Sequence, residues 1–428
     1  MSAENTRVER EVSGTDILTL SRASERRNDN EFVLNVSSSL SGRAWRFRPY
    51  GADALRALEL AGQDATLARL LAMRGIDASG MENFLNPTLR ALLPDPSVLA
   101  HMDDAASRAA DAIANNEQFA FLGDYDVDGA CASALLLRYM RALKHDPLLY
   151  IPDRLTEGYG PSSAAMQHLH AQGARVVITV DTGAAATAPL ALAREIGLDV
   201  IVLDHHAVEE NPPAFAHINP NAPDDCSGLT YLCGTGVTFL FLVAVQRELR
   251  KRGWFLARGL PEPDLMQSID LVGLATITDV VPLTGVNRAF VRQGLAIARS
   301  RARIGLRALA DVARLDGPIT PFHLGFLISP RINAGGRIGD AALGARLLLT
   351  QDEAEATAIA SRLDHLNGER REIEKRMVEE AEAEALAMIG LDDDESKSVI
   401  VTASPSWHPG VGGLVDRKST RLNSSHGY

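Results

Sequence analysis

The sequence predicts an α/β protein: an open parallel sheet flanked by helices, then a long connector helix, then only the beginning of a second α/β domain. Three observations predict it. Short β-branched or apolar runs at Phe119–Gly123, Arg175–Val180 and Asp199–Leu203 are separated by stretches long enough for amphipathic helices, and runs of this kind are buried parallel strands. Each run passes directly into acidic residues. Beyond them, Ile359, Leu363, Leu366, Ile373, Met377, Ala381, Ala385 and Met388 recur at three, four or seven residues within 352–389, the period of one helix about 57 Å long.

The remaining elements follow in chain order. Residues 1–35 are polar and aperiodic, which reads as a flexible tail. From Gly51 to Ala100 short helical patterns alternate with breakers such as Gly75-Ile-Asp-Ala-Ser-Gly80, giving a helical lead-in. After the sheet, Leu265–Leu283 is mostly apolar and holds Asp270 and Asp279. The helix over 352–389 is so acidic that it reads as a solvated connector, in which Asn367-Gly368 is the one place where it could bend. Asp392–Glu395 is then a polar turn, Ser398–Thr402 the first strand of something new, and Trp407–Val415 a glycine-rich turn.

With 428 residues, 46% apolar and 23% charged, the chain can bury one large core or two ordinary ones. No stretch approaches the roughly 18 uninterrupted apolar residues of a membrane span, and the first residues lack an apolar secretory core, so a cytoplasmic location is expected, with no membrane partner. Three cysteines, Cys131, Cys226 and Cys233, are too few for a disulfide scaffold and wrongly spaced for a zinc ribbon. The net charge of −12 argues against a nucleic-acid partner until its distribution is considered. Residues 351–395 hold fifteen Asp or Glu against five Arg or Lys, while 288–314 hold seven arginines against Asp311.

A carboxylate beside a buried sheet is unfavourable unless a cation or hydrogen bonds offset its desolvation. Here Asp124, Asp126 and Asp128 follow the first run, Asp181 the second, and Asp204, His205 and His206 the third, with Asp279 downstream. Ligands of open α/β sheets lie at these strand ends, so a shared ion is the simplest explanation. Oxygen-rich ligands with one or two imidazoles suit Mn²⁺ or Mg²⁺, and the surplus of carboxylates over one octahedral ion points to two. Two such cations about 3.5–4 Å apart lower the pKa of a shared water and clamp a phosphoryl oxygen, so the reaction class is hydrolysis of a phosphoester or phosphoanhydride. Singly, each piece has a plainer reading. Asp-x-Asp-x-Asp-Gly is also a turn or a calcium loop, although Leu135 stands where the EF-hand requires Glu. His205-His206 is also a loop pair, and Asp181-Thr-Gly also a helix cap. Jointly they specify a dinuclear site.

The segments Asp124–Gly129, Val180–Gly183, Leu203–His206 and Leu274–Pro282 resemble the successive motifs of the DHH phosphoesterases. With Glu157–Gly160, Ser329–Ala341 and Trp407–Val411, the resemblance spans residues 40–415 and is greatest to the family's single-strand-specific 5′→3′ DNA exonucleases. It implies that Asp124 and Asp126 hold one metal, Asp128, His205 and Asp279 the other, and that Asp181 bridges. His206 then faces the scissile phosphate or its leaving oxygen, and Asp204 fixes an imidazole tautomer from behind. Asp270 lies outside the matching segment and is assigned no role. Tyr159, Arg331, Asn333, Arg337 and His408 are implied as substrate contacts: guanidinium grips phosphate bidentately, and glycine lets the backbone approach it. Gly335-Gly336 is also an ordinary turn, and Tyr159 either stacks a base or packs in the core.

The implied activity is metal-dependent hydrolysis of single-stranded DNA to mononucleotides in recombination and repair, with two Mn²⁺ or Mg²⁺ ions as cofactors. Single-stranded DNA is the implied substrate, and a single-strand-binding protein and a recombination helicase are the further partners. The implied organisation is a tail to residue 35, a lead-in over 36–100, the catalytic domain over 101–310, a glycine- and arginine-rich substrate segment over 311–350, the connector over 351–390, the start of a DHHA1-type domain over 391–415 and an atypical tail over 416–428. In the family that last domain closes over the substrate. Here the aperiodic tail interrupts it, so the chain is expected to be truncated. Two other readings use the same residues: a phosphodiesterase for cyclic dinucleotides or short oligoribonucleotides, and a noncatalytic replication scaffold.

Overall fold

The computed structural model describes residues 32–33, 36–46, 48–389 and 400–416. The chain divides into two units, one ending at Glu82 and the other beginning at Asn83, so the division falls inside the 36–100 lead-in. In the first unit, helices Ala52–Leu60 and Ala65–Ala72 pair with each other. The second of them is capped by Asp64, whose carboxylate accepts from the amides of Thr66 and Leu67.

The second unit is built on five parallel strands: β1 (Phe119–Gly123), β2 (Leu148–Tyr150), β3 (Val176–Val180), β4 (Asp199–Leu203) and β5 (Ala216–Ile218). Their order is β2-β1-β3-β4-β5. The strand order reverses between β1 and β3, and the crevice beyond such a switch point is where doubly wound sheets bind ligands. Register sharpens this: Gly123 pairs with Val180, and Val180 with Leu203. Three strands therefore end level, and Asp124, Asp181 and Asp204 begin their loops side by side.

Alternation along the strands covers both faces. Phe119, Phe121, Ile178 and Ile201 point toward α1 (Met102–Ala114), α2 (Val127–Ala142) and α5 (Gly234–Lys251), in the main core. Ala120, Leu122, Val177 and Val200 point the other way, toward Met166 and Leu169 of α3 (Ser163–Ala171) and Leu190 and Ala193 of α4 (Thr187–Glu195). A second layer is formed by α6 (Ile269–Thr278), α7 (Gly285–Arg299) and α8 (Ile304–Val312). Where α6 and α7 meet, a Cβ on Gly294 would stand 2.9 Å from the Cα of Gly273, so only glycine permits the approach.

The structure corrects the sequence reading in three places. Within 311–350 Gly335-Gly336 forms no turn: His323–Ile328 is a π-helical turn, followed by α9 (Ser329–Ile338), which contains both glycines, and α10 (Leu343–Leu349). Gly336 lies in α9, where any Cβ would collide with the ring of Tyr125, so its smallness serves packing. The predicted long helix forms as α11 (Glu353–Ile389), but it is more than a solvated connector: Ala356, Ile359, Ala360, Leu363 and Leu366 enter the main core. Of the expected strand, Ser398 and Val399 lie outside the described residues, and 400–402 form no strand. The expected turn after Trp407 is a helix, α12 (409–416). Pro409 suits its first position, and Val411 and Val415, one helical turn apart, pack on Met377 and Ala381 of α11. Among the described residues no helix is long and apolar enough to cross a membrane.

Candidate metal centre

The acidic loops at the switch point are each held by hydrogen bonds of their own. Asp126 caps α2, accepting from the amides of Asp128 and Gly129 at 2.9 and 3.2 Å. Asp128, inside that first turn, reaches the open N-terminus of α5. It accepts from Gly234 N at 2.6 Å and Thr235 N at 2.8 Å, while the Thr235 hydroxyl donates to its carbonyl. Two orphan donors of one helix thus fix a carboxylate of another. Asp181 turns the chain after β3 with φ +58°, a left-handed conformation that Asp tolerates better than most residues. Its amide donates to Leu203 O.

Asp204 is nearly saturated. One oxygen accepts from Ala184 N at 2.9 Å; the other accepts from the amides of His205 and His206 and lies 2.7 Å from His206 Nδ1. The carbonyls of His205 and His206 accept from Asn221 and Asn219 side chains at 2.6 and 2.9 Å. His205 stands at the middle: Nε2 is 3.2 Å from Asp181 and 3.8 Å from Asp128, and Nδ1 is 3.6 Å from Asp279. Asp279 ends α6 and is followed by Val280, a β-branched residue at φ +60°, a strained combination.

So many carboxylates in a buried crevice repel one another. Burial first, and Asp126 next, push Asp124 up to about 7. Burial, then Asp128 and Asp126, push Asp279 up to about 8, and the same forces raise Asp126 and Asp181. Asp204 goes the other way: burial opposes ionisation, but the hydrogen bond and charge of His206 and the surrounding amides hold its pKa below the ordinary value. In turn the bond to Asp204 lifts His206 to about 9 against its burial.

The donor set fits divalent cations. His205 Nε2 and Asp279 Oδ2 are buried without a hydrogen-bond partner, a costly arrangement that a cation would satisfy. Three triplets have donor atoms within 4.8 Å of one another: Asp124, Asp126 and Asp181; Asp128, His205 and Asp279; Asp181, His205 and His206. Asp181 and His205 each belong to two.

Of the residues read as substrate contacts, Tyr159 lies at the centre. Its hydroxyl donates to Asp181 O at 3.3 Å, and its ring stands edge-on to His206 with centroids 6.4 Å apart. The others are engaged elsewhere. Arg331 pairs with Asp364 at 2.9 Å and donates to Leu327 O. Asn333 Oδ1 accepts from Val127 N at 3.0 Å and so braces the Asp126 loop. Arg337 donates to Gly410 O, and His408 Nδ1 accepts from Gly410 N. Sequence reasoning missed Arg154, whose guanidinium lies 5.7 and 5.4 Å over the rings of Tyr125 and Tyr159 and bonds the Tyr125 hydroxyl. Its signal was a lone arginine in the loop that carries Glu157-Gly-Tyr159-Gly. Asn219 and Asn221 were missed too, although Asn-Pro-Asn directly follows β5.

The profile described as "DHH family, N-terminal domain" matches residues 118–261, the stretch from β1 through α5. Among curated proteins, the single-stranded-DNA-specific exonuclease RecJ of Dickeya dadantii is 38% identical over 355 residues, covering 82% of this chain and 61% of the relative. That of Bacillus subtilis is 36% identical over 354 residues, covering 82% and 42%. A crystal structure of exonuclease RecJ bound to manganese superposes with a TM-score of 0.65 at 35% identity, covering 76% of this chain and 78% of that one. RecJ from Thermus thermophilus in complex with Mn²⁺ gives 0.71 at 32% identity, covering 88% and 52%. The chain belongs to the RecJ family of DHH proteins, and it spans 61% of the length of the Dickeya relative.

Proposed function

We propose that this chain hydrolyses single-stranded DNA 5′→3′ to mononucleotides, using two Mn²⁺ or Mg²⁺ ions, in DNA recombination and repair. The observation that carries the reading is the pair of triplets flanking Asp181 at the β1/β3 switch point. Relatives with the same fold are exonucleases acting on single-stranded DNA, and one is bound to manganese. Asp124 and Asp126 would hold one ion, Asp128, His205 and Asp279 the other, with Asp181 between them. Bound there, the ions supply a water of lowered pKa and neutralise phosphoryl charge.

The chain's own groups do the positioning. Asp204 takes His206 Nδ1, which fixes the ring and presents Nε2 as a donor to a phosphoryl or leaving oxygen. Tyr159 offers a ring face to a base, and Arg154, between two tyrosines and close enough to Asp124 to offset its shift, offers a cation to a phosphate. A DNA substrate places the reaction in the cytoplasm, where a single-strand-binding protein and a recombination helicase would present such strands.

The test is digestion of end-labelled single strands in Mn²⁺. A 5′ label should leave at once as a mononucleotide while a 3′-labelled strand shortens gradually. Intact long strands alongside rapid dinucleotide turnover would support the short-substrate alternative, and failure to bind Mn²⁺ the scaffold alternative.

A further inference from the structure

One ligand of the metal centre is supplied by no strand end. Asp279 caps the C-terminal end of α6, and the chain leaves it through Val280, at φ +60° and 77% exposed. A strained residue of this kind keeps its conformation only where the surrounding structure imposes it, and solvent imposes nothing. The constraint comes from the residue before Asp279. The Thr278 hydroxyl lies 2.7 Å from that of Ser329, the buried first residue of α9. Two hydroxyls bring two protons to three contacts, since Thr278 also faces Leu274 O and Ser329 also faces Leu324 O, each at 2.7 Å. Oxygens so close need a proton between them, so one hydroxyl always donates to the other. The carbonyl that goes without keeps a backbone amide: that of Ser329 for Leu324 O, and that of Thr278, four residues on in the helix, for Leu274 O. The link therefore holds either way and leaves neither carbonyl unpaired.

The same face of α9 reaches the other end of the centre. The π-helical turn His323–Ile328 directly precedes Ser329, and such turns are rare and sit mostly at functional sites. One extra residue in a helical turn rotates all that follows by about 100°. Here that rotation aims Ser329 at α6 and Asn333, four residues on, at α2. Asn333 holds Val127 N, next to Asp126 of one triplet, while Ser329 holds Thr278, next to Asp279 of another. Thr276, in the same turn of α6 and wholly buried, lies 3.8 Å from Cys233 Sγ, and the next residue, Gly234, donates its amide to Asp128. Asp128 and Asp279, which share a triplet, are thus both tied to one turn of α6, and that turn is tied to α9.

We propose that Ser329 is a positioning residue of the metal centre: through Thr278 it fixes Asp279, and with Asn333 it makes α9 a spacer between the ligands of the two ions, an inference that rests on the two-ion reading above. The test uses Ser329→Ala and Thr278→Val, which remove a hydroxyl at nearly constant volume, and Thr278→Ser, which keeps it. Mn²⁺ binding is followed by calorimetry, and the ion pair by its exchange-coupled electron paramagnetic resonance signal. Ser329→Ala and Thr278→Val should each weaken one ion about tenfold and leave the other within about twofold, the range expected when a residue behind a ligand is lost. The coupled signal should then give way to that of an isolated ion. Thr278→Ser should bind both ions as wild type does. Combining Ser329→Ala with Thr278→Val should cost no more than either alone, because the two hydroxyls form one link, whereas combining Ser329→Ala with Asn333→Ala should weaken both ions. Wild-type affinity for both ions in the two single variants, equal weakening of both ions by Ser329→Ala, or Thr278→Ser as weak as Thr278→Val overturns the proposal; a single affected ion in the Ser329, Asn333 pair overturns the spacer. If Ser329→Ala fails to fold, Thr278→Val carries the same comparison. Wild-type protein that binds fewer than two Mn²⁺ ions overturns the two-ion reading as well, whereas variants that match a two-ion wild type overturn this inference alone.

Discussion

Asp181 combines a left-handed backbone, near-complete burial and four carboxylate neighbours that oppose its ionisation. Asparagine suits that backbone and removes the repelled charge. Asp181→Asn should therefore raise the melting temperature of the metal-free protein while lowering turnover by more than about tenfold, a barrier change above ~1.4 kcal/mol. Thermal unfolding in EDTA and Mn²⁺ titration read the two effects, and a variant that still binds two ions would disprove the sharing of Asp181. Asp270 looks similar in sequence and behaves oppositely. It is buried in a two-pronged ion pair with Arg303, both contacts at 2.6 Å. Asp270→Asn leaves a guanidinium without its charge partner and should cost about 3–5 kcal/mol in urea unfolding. Asp279→Asn should cost turnover and little stability, so similar stability losses in the two would contradict these assignments.

At the scale of elements, the site depends on loops pinned by neighbouring helices. Asn333→Ala removes the α9 contact that holds Val127 N at the start of α2 and should destabilise by about 1 kcal/mol. It should also weaken Mn²⁺ binding several-fold by loosening Asp126, and calorimetry showing wild-type Mn²⁺ affinity would rule that coupling out. This contact also shows what the sequence could reveal. β1, β3 and β4 were legible because each is an apolar run ending in acid, whereas β2 and β5, three residues each, are too short to show a period. Asp124, Asp126, Asp128, Asp181, Asp204, His205 and His206 were legible because they follow the ends of β1, β3 and β4, whereas Asp279, at the end of α6, was reached only through the family resemblance. The roles of Arg331, Asn333 and Gly336 were not, because they are decided by partners distant in sequence: Asp364, Val127 and Tyr125.

Across the whole molecule the buried acids make stability depend on pH. Asp124 and Asp279 titrate near 7 and 8 when folded and near the ordinary carboxylate value when unfolded. The native state thus holds protons that the unfolded chain has released, so their contribution is complete in acid and drains as pH rises toward 8. The stabilising link between His206 and Asp204 is likewise lost as pH climbs through about 9. Metal-free protein should melt at a lower temperature at about pH 8.5 than at about pH 6, and Mn²⁺, which displaces those protons, should reverse the trend. A melting temperature indifferent to pH over that interval would be incompatible with the repulsion described.

The level strand ends have a consequence in time. Each triplet draws on stretches of chain brought together only when the sheet is paired: Asp124 and Asp126 need β3 to deliver Asp181, and Asp128 needs β4 and α6 to deliver His205 and Asp279. No early folding fragment owns a complete set, so an ion finds its ligands only after the slow, non-local pairing is done. Mn²⁺ should then leave the refolding rate unchanged and slow unfolding by the full factor of its stabilisation. Stopped-flow folding with and without the ion would show it as a latch that closes last.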